Sequence, residues 1–274
     1  MTTRLKIFLP LSLLVVLVLL LPIIVMVIAS FQNLDGGFSL DNYHQVISNH
    51  YYSEAIRNSL GISLITTTVS LVMAIIGAWA LTRLAPKTKN VLLSLFNMSA
   101  SFAGVPLAFS LIILFGNAGI WQALTTALHL PRFFEIYSLT GTTLAYTFFE
   151  VPLGIMFLFP VFEELNPEWH EISAVLGASP FFFFKRVILP VIFPNIVEVF
   201  TLLFANAMGT YETTFALTGN SIVTIPTLIG TLIDGGLTAN VPLACTFATL
   251  FALVMTLIVW LGNRVTHTKR RVKA

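Results

Sequence analysis

Six runs of mostly apolar residues constrain this chain more than any other feature, because each is long enough to cross a bilayer as a helix. A helix rises about 1.5 Å per residue, so about 20 residues span roughly 30 Å of hydrocarbon. A barrel strand needs far fewer residues, and an open sheet leaves its edges unpaired in lipid. The runs lie near residues 7–31, 58–84, 91–115, 139–162, 191–216 and 241–263. The sequence therefore predicts an all-α polytopic membrane protein with about six transmembrane helices, forming a single domain over residues 1–274.

The composition supports a lipid-facing surface. Only 9% of the residues are charged and 57% are hydrophobic, whereas a soluble domain carries about 25% charged residues. The net charge of +2 is too small to indicate a nucleic-acid partner. The one cysteine, Cys245, excludes an intrachain disulfide and a multi-cysteine metal site. The bilayer is thus the first partner that the sequence predicts.

The first apolar run, from Ile7 to Ala29, is predicted to be a retained span. It is longer than the apolar region of about 7–15 residues in a signal peptide, and no small-residue cleavage pattern follows it.

The distribution of lysine and arginine predicts the orientation, because cytoplasmic loops carry an excess of both. With the N-terminus inside, 12 of the 14 basic residues are cytoplasmic and both termini face the cytoplasm. The external exceptions are Arg57 and Arg132. The cytoplasmic set is Arg4, Lys6, Arg83, Lys87, Lys89, Lys185, Arg186, Arg264, Lys269, Arg270, Arg271 and Lys273.

A cytoplasmic segment between the fourth and fifth spans, residues 163–190, has a pattern of its own. Its residues predict a short helix that contains Glu171 and ends at Gly177, where a left-handed residue is needed. Pro180 is expected to stop that helix. Phe181 to Phe184, followed by two cations, are typical of an interfacial stretch.

This segment resembles the EAA loop of binding-protein-dependent ABC importer permeases. The family pattern is E-A-A, three residues, G, nine residues, then I-x-L-P. The matching positions are Glu171, Gly177, Leu189 and Pro190. The departures are Ile172 and Ser173 in place of Ala-Ala, and Val187 in place of Ile. Further agreement with the common L-G-A-S form comes from Ala174, Leu176, Ala178 and Ser179.

The resemblance covers most of the chain and is greatest to permeases of the spermidine/putrescine type, a group that includes importers of phosphonates, thiamine and iron. It implies a permease subunit, not an enzyme, in the bacterial cytoplasmic (inner) membrane. The implied partners are ATPase subunits that carry ATP and Mg, a second permease chain (homologous or identical) and an extracytoplasmic solute-binding protein. No cofactor is expected on this chain. The residues implied to couple to the ATPase are Glu171, Ala174, Leu176, Gly177, Ala178, Ser179, Leu189 and Pro190.

Motifs for chemistry are missing from the sequence. There is no G-x-x-x-x-G-K-[ST], H-E-x-x-H or G-x-S-x-G, and the five histidines show no metal-like spacing. A membrane-embedded enzyme is therefore disfavoured. A standalone secondary transporter would show inverted repeats, and none is visible in the sequence.

Acidic residues within the spans are candidates for the solute pathway, because such groups usually face a cavity or a partner. At 3.6 residues per turn, a polar stripe is predicted on the fifth span, opposite Val199, Leu203 and Phe204. The stripe is Asn195, Glu198, Leu202, Ala205, Asn206, Gly209 and Glu212. The pathway candidates are Glu150, Glu198, Asn206, Gly209, Tyr211 and Glu212.

Two alternatives stay open at this point. The acidic groups could instead form structural pairs, with Lys185 or Arg186 as the partner of Glu198. Acidic pathway residues favour a cationic solute such as a polyamine, but the sequence also permits an anion or a neutral solute.

Overall fold

The computed structural model describes residues 2–129, 131, 134–166, 168–235 and 239–271, with side chains between residues 12 and 264 except that of His170. Two residues used for the orientation, Arg132 and Lys273, lie outside the described residues. The described part is helical, with one isolated β-bridge between Gln32 and Phe38. The α-helices are α1 (Thr2–Ser30), α2 (Asp41–Ser48), α3 (His50–Leu81), α4 (Pro86–Ser101), α5 (Val105–Phe115), α6 (Ile120–Ala127), α7 (Leu139–Glu163), α8 (Glu168–Val175), α9 (Pro180–Phe183), α10 (Leu189–Gly209), α11 (Glu212–Thr218), α12 (Ile225–Asp234) and α13 (Val241–Arg271).

Six spans in the described residues are long and apolar enough to cross a membrane, which confirms the predicted all-α class and span number. They are Ser12–Ser30, His50–Leu81, Val105–Ala127, Leu139–Glu163, Pro180–Gly209 and Val241–Arg264. The first, fourth and sixth agree closely with the predicted ranges. The second begins earlier than residue 58, because α3 continues without a break from His50.

The third span corrects the predicted helix over residues 91–115. That stretch is two helices, α4 and α5, separated by a turn at residues 102–104. Gly104 has a φ of 84°, which ends helical geometry, and Pro106 has no N–H to continue the ladder. The apolar span therefore begins at Val105 and continues through α6.

The fifth span corrects the predicted range of 191–216 at both ends. Its helical stretch begins at Pro180, includes a π-helical turn at Phe184–Ile188, and ends at Gly209. Pro180 thus starts a helix as well as stopping α8. The π turn ends two residues before Pro190, whose ring crowds the carbonyl four residues earlier, within that turn, and whose missing N–H cannot bond to it.

The chain divides into two compact units. Unit 1 comprises Met1–Ile56 and Val223–Met255, and unit 2 comprises Arg57–Ile222 and Thr256–Ala274. The single-domain organisation over residues 1–274 stays a prediction.

Unit 1 packs α2, the start of α3, α12 and the start of α13 around a small core. Leu228, Leu243 and Phe247 are almost fully buried there, and the Tyr52 ring meets Phe247 edge-on at 5.1 Å between centroids. The end of α1 is attached to α13 by a 3.0 Å hydrogen bond from Thr246 Oγ1 to the Ser30 carbonyl.

Unit 2 has its main core where α7 lies between α3 and α10. Leu158, Ile192 and Leu203 are fully buried in it. Gly154 allows a close approach there, since a Cβ at this position would lie 2.8 Å from Ala74 Cβ. This packing holds α7 against α10 and sets the position of the polar groups described below.

Candidate functional site

The segment between α8 and α9 folds as the sequence predicts. Gly177 has a φ of 77°, and its N–H donates to the Ala174 carbonyl at 3.0 Å. The next N–H, of Ala178, donates to the Ser173 carbonyl at 3.0 Å. These two bonds form a Schellman motif, which satisfies the last carbonyls of α8. The predicted helix end at Gly177 is confirmed.

The helix that follows begins within two residues. Ser179 is its N-cap, and the Ser179 hydroxyl accepts a hydrogen bond from the Phe182 N–H at 3.2 Å. Pro180 occupies the first helical position, where its missing N–H costs nothing. The short turn between the two helices therefore has a defined geometry at both ends.

Apolar side chains project from this turn without cover. Val175 is 88% exposed, Leu176 79% and Phe181 74%. Glu171, Ala174, Gly177 and Ser179 are also exposed, while Ala178 and Leu189 are half-buried. A cluster of exposed apolar residues beside polar ones is typical of a protein or lipid contact surface.

A cavity of about 420 Å³ lies beside α8 in unit 2. Lys89 and Glu163 line it, and Lys89 Nζ lies 2.7 Å from Glu163 Oε1. The Arg83 guanidinium lies 4.2 Å from the centroid of the Trp79 ring. Glu171 also lines the cavity. The cavity therefore joins the start of α8 to the ends of α3, α4 and α7.

Glu150 lies at the contact between α7 and α10 and is fully buried. Its Oε1 accepts a hydrogen bond from Asn206 Nδ2 at 2.9 Å. Its Oε2 is buried and has no hydrogen-bond partner among the described residues. In this conformation the carboxyl faces α10 and not an open surface, so its role in a pathway stays a prediction.

One turn earlier, Tyr146 connects α7 to the end of α10. Its hydroxyl donates to the Thr210 carbonyl at 2.9 Å and lies 2.5 Å from Thr214 Oγ1. The residue is 2% exposed. These contacts secure the break between α10 and α11.

The predicted faces of α10 are present. Val199, Leu203 and Phe204 are buried against the rest of unit 2. Glu198 and Asn206 are exposed on the other side of the helix. Leu202 and Gly209 are exposed on this side too, and Asn195 and Ala205 are half-buried. We call Glu198, Leu202, Asn206 and Gly209 the open face of α10.

Two expectations about this face need correction. Glu212 is not on it, because α10 ends at Gly209 and Glu212 begins α11 after a break at Thr210 and Tyr211. Glu198 does not pair with Lys185 or Arg186, since Lys89–Glu163 is the only ion pair in the part of the chain that the structure describes.

Glu212 instead lies against the break between α4 and α5. A Cβ at Gly104 would overlap Glu212 Oε2, and the Gly104 N–H donates to Thr213 Oγ1 at 3.1 Å. Two helix breaks, one before α5 and one before α11, are therefore in contact. Hydropathy does not reveal this contact, although the Gly-Val-Pro order at residues 104–106 signals the first break.

A metal centre is not indicated by the described side chains. No three His, Cys, Asp or Glu residues among them lie close enough together to hold an ion.

Comparison with known proteins identifies relatives among membrane transporters, although no family model matches the chain. The sulfate transport system permease protein CysT of Escherichia coli is 30% identical over 213 residues, which are 75% of this chain and 72% of the relative. A spermidine/putrescine permease PotC homolog of Mycoplasma genitalium is 30% identical over 176 residues, which are 64% of this chain and 58% of the relative. The trehalose permease SugB of Mycobacterium tuberculosis is 27% identical over 70% of this chain and 65% of the relative. The thiamine permease ThiP of Escherichia coli is 26% identical over 72% of this chain and 37% of the relative.

Solved structures agree in fold. One is a chain of a bacterial ABC transporter involved in the import of alginate, which superposes with a TM-score of 0.82 at 18% identity. The superposition includes 98% of this chain and 95% of the solved chain. A structure of bacterial alginate ABC transporter in complex with a pentasaccharide-bound periplasmic protein gives a TM-score of 0.77 at 18% identity over 97% and 93% of the two chains.

Proposed function

Since the chain belongs to the permease subunits of ABC importers, we propose that it forms one side of a solute pathway and receives movement from a separate ATPase through residues 163–190. The observation that carries this proposal is the uncovered apolar tip formed by Val175, Leu176 and Phe181, on a turn whose geometry is defined at both ends. Such a surface suits a groove on a partner protein.

Movement of that turn would reach the membrane-spanning helices through packed contacts. Phe183 and Ile188, just after the turn, are buried in the same core as Phe162 near the end of α7. The Lys89–Glu163 pair links α4 to α7 at the same place. A rigid element that is packed in this way shifts its neighbours as a body and is suited to gating.

The chemistry is assigned to partner chains. The sequence carries no phosphate-binding G-x-x-x-x-G-K-[ST] stretch, so ATP and Mg belong to the ATPase. A second permease chain and an extracytoplasmic solute-binding protein complete the proposed complex in the bacterial inner membrane. The basic residues support placing both termini, and residues 163–190, on the cytoplasmic side.

The pathway is proposed to run along the open face of α10 and past Tyr211 and Glu212 beyond the helix break. An exposed amide and carboxylate are expensive in lipid, which favours a water-filled or partner-lined position for this face. Glu198 and Glu212 are both exposed and acidic, and this charge favours a cation such as a polyamine over an anion such as phosphonate. Thiamine and iron, which also carry positive charge, stay alternatives to the polyamine. The named solutes of the relatives include a polyamine, sulfate, trehalose and thiamine.

Co-purification tests the complex. We expect the tagged chain, expressed with the products of its neighbouring genes, to retain an ATPase and a second permease chain. Leu176→Asp, in the exposed tip, should lose the ATPase. Ile47→Asp is the matched control, because Ile47 is 85% exposed on α2, and it should retain the ATPase. Recovery of the chain alone, with uptake that does not need ATP, would identify a standalone transporter and refute the proposal.

A further inference from the structure

We propose that Asn206 is a solute-binding residue whose amide is oriented by Glu150, and that the solute carries N–H or O–H donor groups. This inference rests on the proposed pathway along the open face of α10.

The orientation follows from the hydrogen bond between α7 and α10. Asn206 Nδ2 donates to Glu150 Oε1 at 2.9 Å, so the amide nitrogen is directed to a fully buried partner. The Asn206 side chain is nevertheless exposed, and no described residue donates to its Oδ1. The amide therefore has one of its two N–H donors engaged within the protein, and its acceptor oxygen is available on the open face.

Glu150 is a costly residue for this position. It is fully buried between helices, and its Oε2 has no partner among the described residues. A buried carboxyl with an unpaired oxygen destabilises a fold, and such costly groups inside a membrane are usually functional. Its one hydrogen bond in the described structure goes to Asn206, which makes Glu150 a positioning residue for the Asn206 amide.

The groups on the open face define the class of solute. Asn206 offers an acceptor oxygen, and Glu198, about two helical turns away on the same face, offers a carboxylate without an ion-pair partner in the described structure. The carboxylate of Glu198 attracts ammonium groups and repels an oxyanion, and the Asn206 oxygen accepts from ammonium or hydroxyl groups. We therefore expect an amine or a polyhydroxylated solute, and not sulfate.

Uptake by the assembled complex in proteoliposomes tests the solute class, with labelled spermidine, trehalose and sulfate as probes. Accumulation of spermidine would show that the solute's donor groups are ammonium groups. Accumulation of trehalose would show that they are hydroxyl groups. Accumulation of sulfate, or of none of the three by a complex that hydrolyses ATP, overturns the inference and leaves the proposed function standing. A chain that assembles with no ATPase refutes the proposed function instead.

Variants test the two roles with the transported probe. Glu150→Gln keeps an acceptor for Asn206 Nδ2, so KM should stay within about threefold of the unsubstituted chain. Glu150→Leu removes the acceptor and should raise KM at least tenfold at an unchanged maximal rate. Asn206→Leu should have the same effect, and the double variant should be no worse than either single one.

A control and a second variant keep this test decisive. Asn97→Leu makes the same change at an exposed asparagine of α4 that contacts no carboxylate in the described structure, and it should leave KM unchanged. Asn206→Leu alters an exposed side chain, so its KM tests the proposal even when the Glu150→Leu variant does not insert into the membrane. An unchanged KM in Asn206→Leu, or a fall in maximal rate alone in Glu150→Leu, would show that the pair is only structural.

Discussion

Lys89 Nζ lies 2.7 Å from Glu163 Oε1, and this ion pair joins the first turn of α4 to the last residue of α7. Lys89 also lies 5.4 Å from the centroid of the Phe159 ring. The pair is therefore located where α7 leads into the proposed coupling segment, and it connects α4 to that segment.

Breaking this pair should weaken coupling more than stability. Glu163 is 54% exposed and Lys89 24%, so the pair contributes only about 0–1 kcal/mol to folding. We expect Lys89→Met and Glu163→Gln each to hydrolyse more ATP per solute transported, with little change in melting temperature. The charge reversal Lys89→Glu with Glu163→Lys should restore the ratio. A large loss of stability in either single variant would contradict this assignment.

Gly177→Leu should abolish uptake and solute-dependent ATP hydrolysis while the protein still inserts. The φ of 77° costs a residue with a side chain about 1–2 kcal/mol, and nothing lies within 4 Å of the added Cβ to clash. Gly36→Leu is the matched control, because Gly36 has a φ of 82° and equally open surroundings. It should bear the same strain and keep coupling. Normal uptake by Gly177→Leu would refute the coupling role of the turn.

Gly104→Ala should destabilise the protein by about 1–3 kcal/mol. Its φ is 84°, and the new Cβ would overlap Glu212 Oε2. The measurement is thermal unfolding in detergent. Adding Glu212→Ala should recover part of the loss, because it removes the overlap and leaves only the backbone strain. A double variant that is less stable than Gly104→Ala would contradict this contact.

Glu212→Gln should alter the KM or the rate of uptake if this carboxylate borders the pathway. The substitution removes a charge and keeps the size of the side chain that lies against Gly104. We therefore expect stability to be retained, which separates an effect on the solute from an effect on the helix break. Unchanged uptake kinetics for the transported probe would exclude Glu212 from the pathway.

Local features were predictable from the order of residues. Hydropathy identified six spans, because lipid demands long apolar helices whatever their neighbours are. The end of α8 followed from Gly177, since that turn depends on one residue's backbone freedom and nearby hydrogen bonds. The buried side of α10, with Val199 and Leu203, followed from helical periodicity.

Other features were decided by packing between distant segments. Hydropathy alone cannot distinguish one helix over residues 91–115 from two, because the break at Gly104 is secured by Thr213, 109 residues away. The predicted position of Glu212 was wrong for the same reason, because α10 ends at Gly209 and Glu212 begins α11. The contact between Glu150 and Asn206 exists only because α7 packs against α10, and no local pattern records which buried acid meets which amide. The sequence by itself therefore determined the spans and turns, because these depend on the solvent and on local backbone chemistry. Only the tertiary structure decided the partners of polar groups inside the membrane, because those partners depend on which helices pack together.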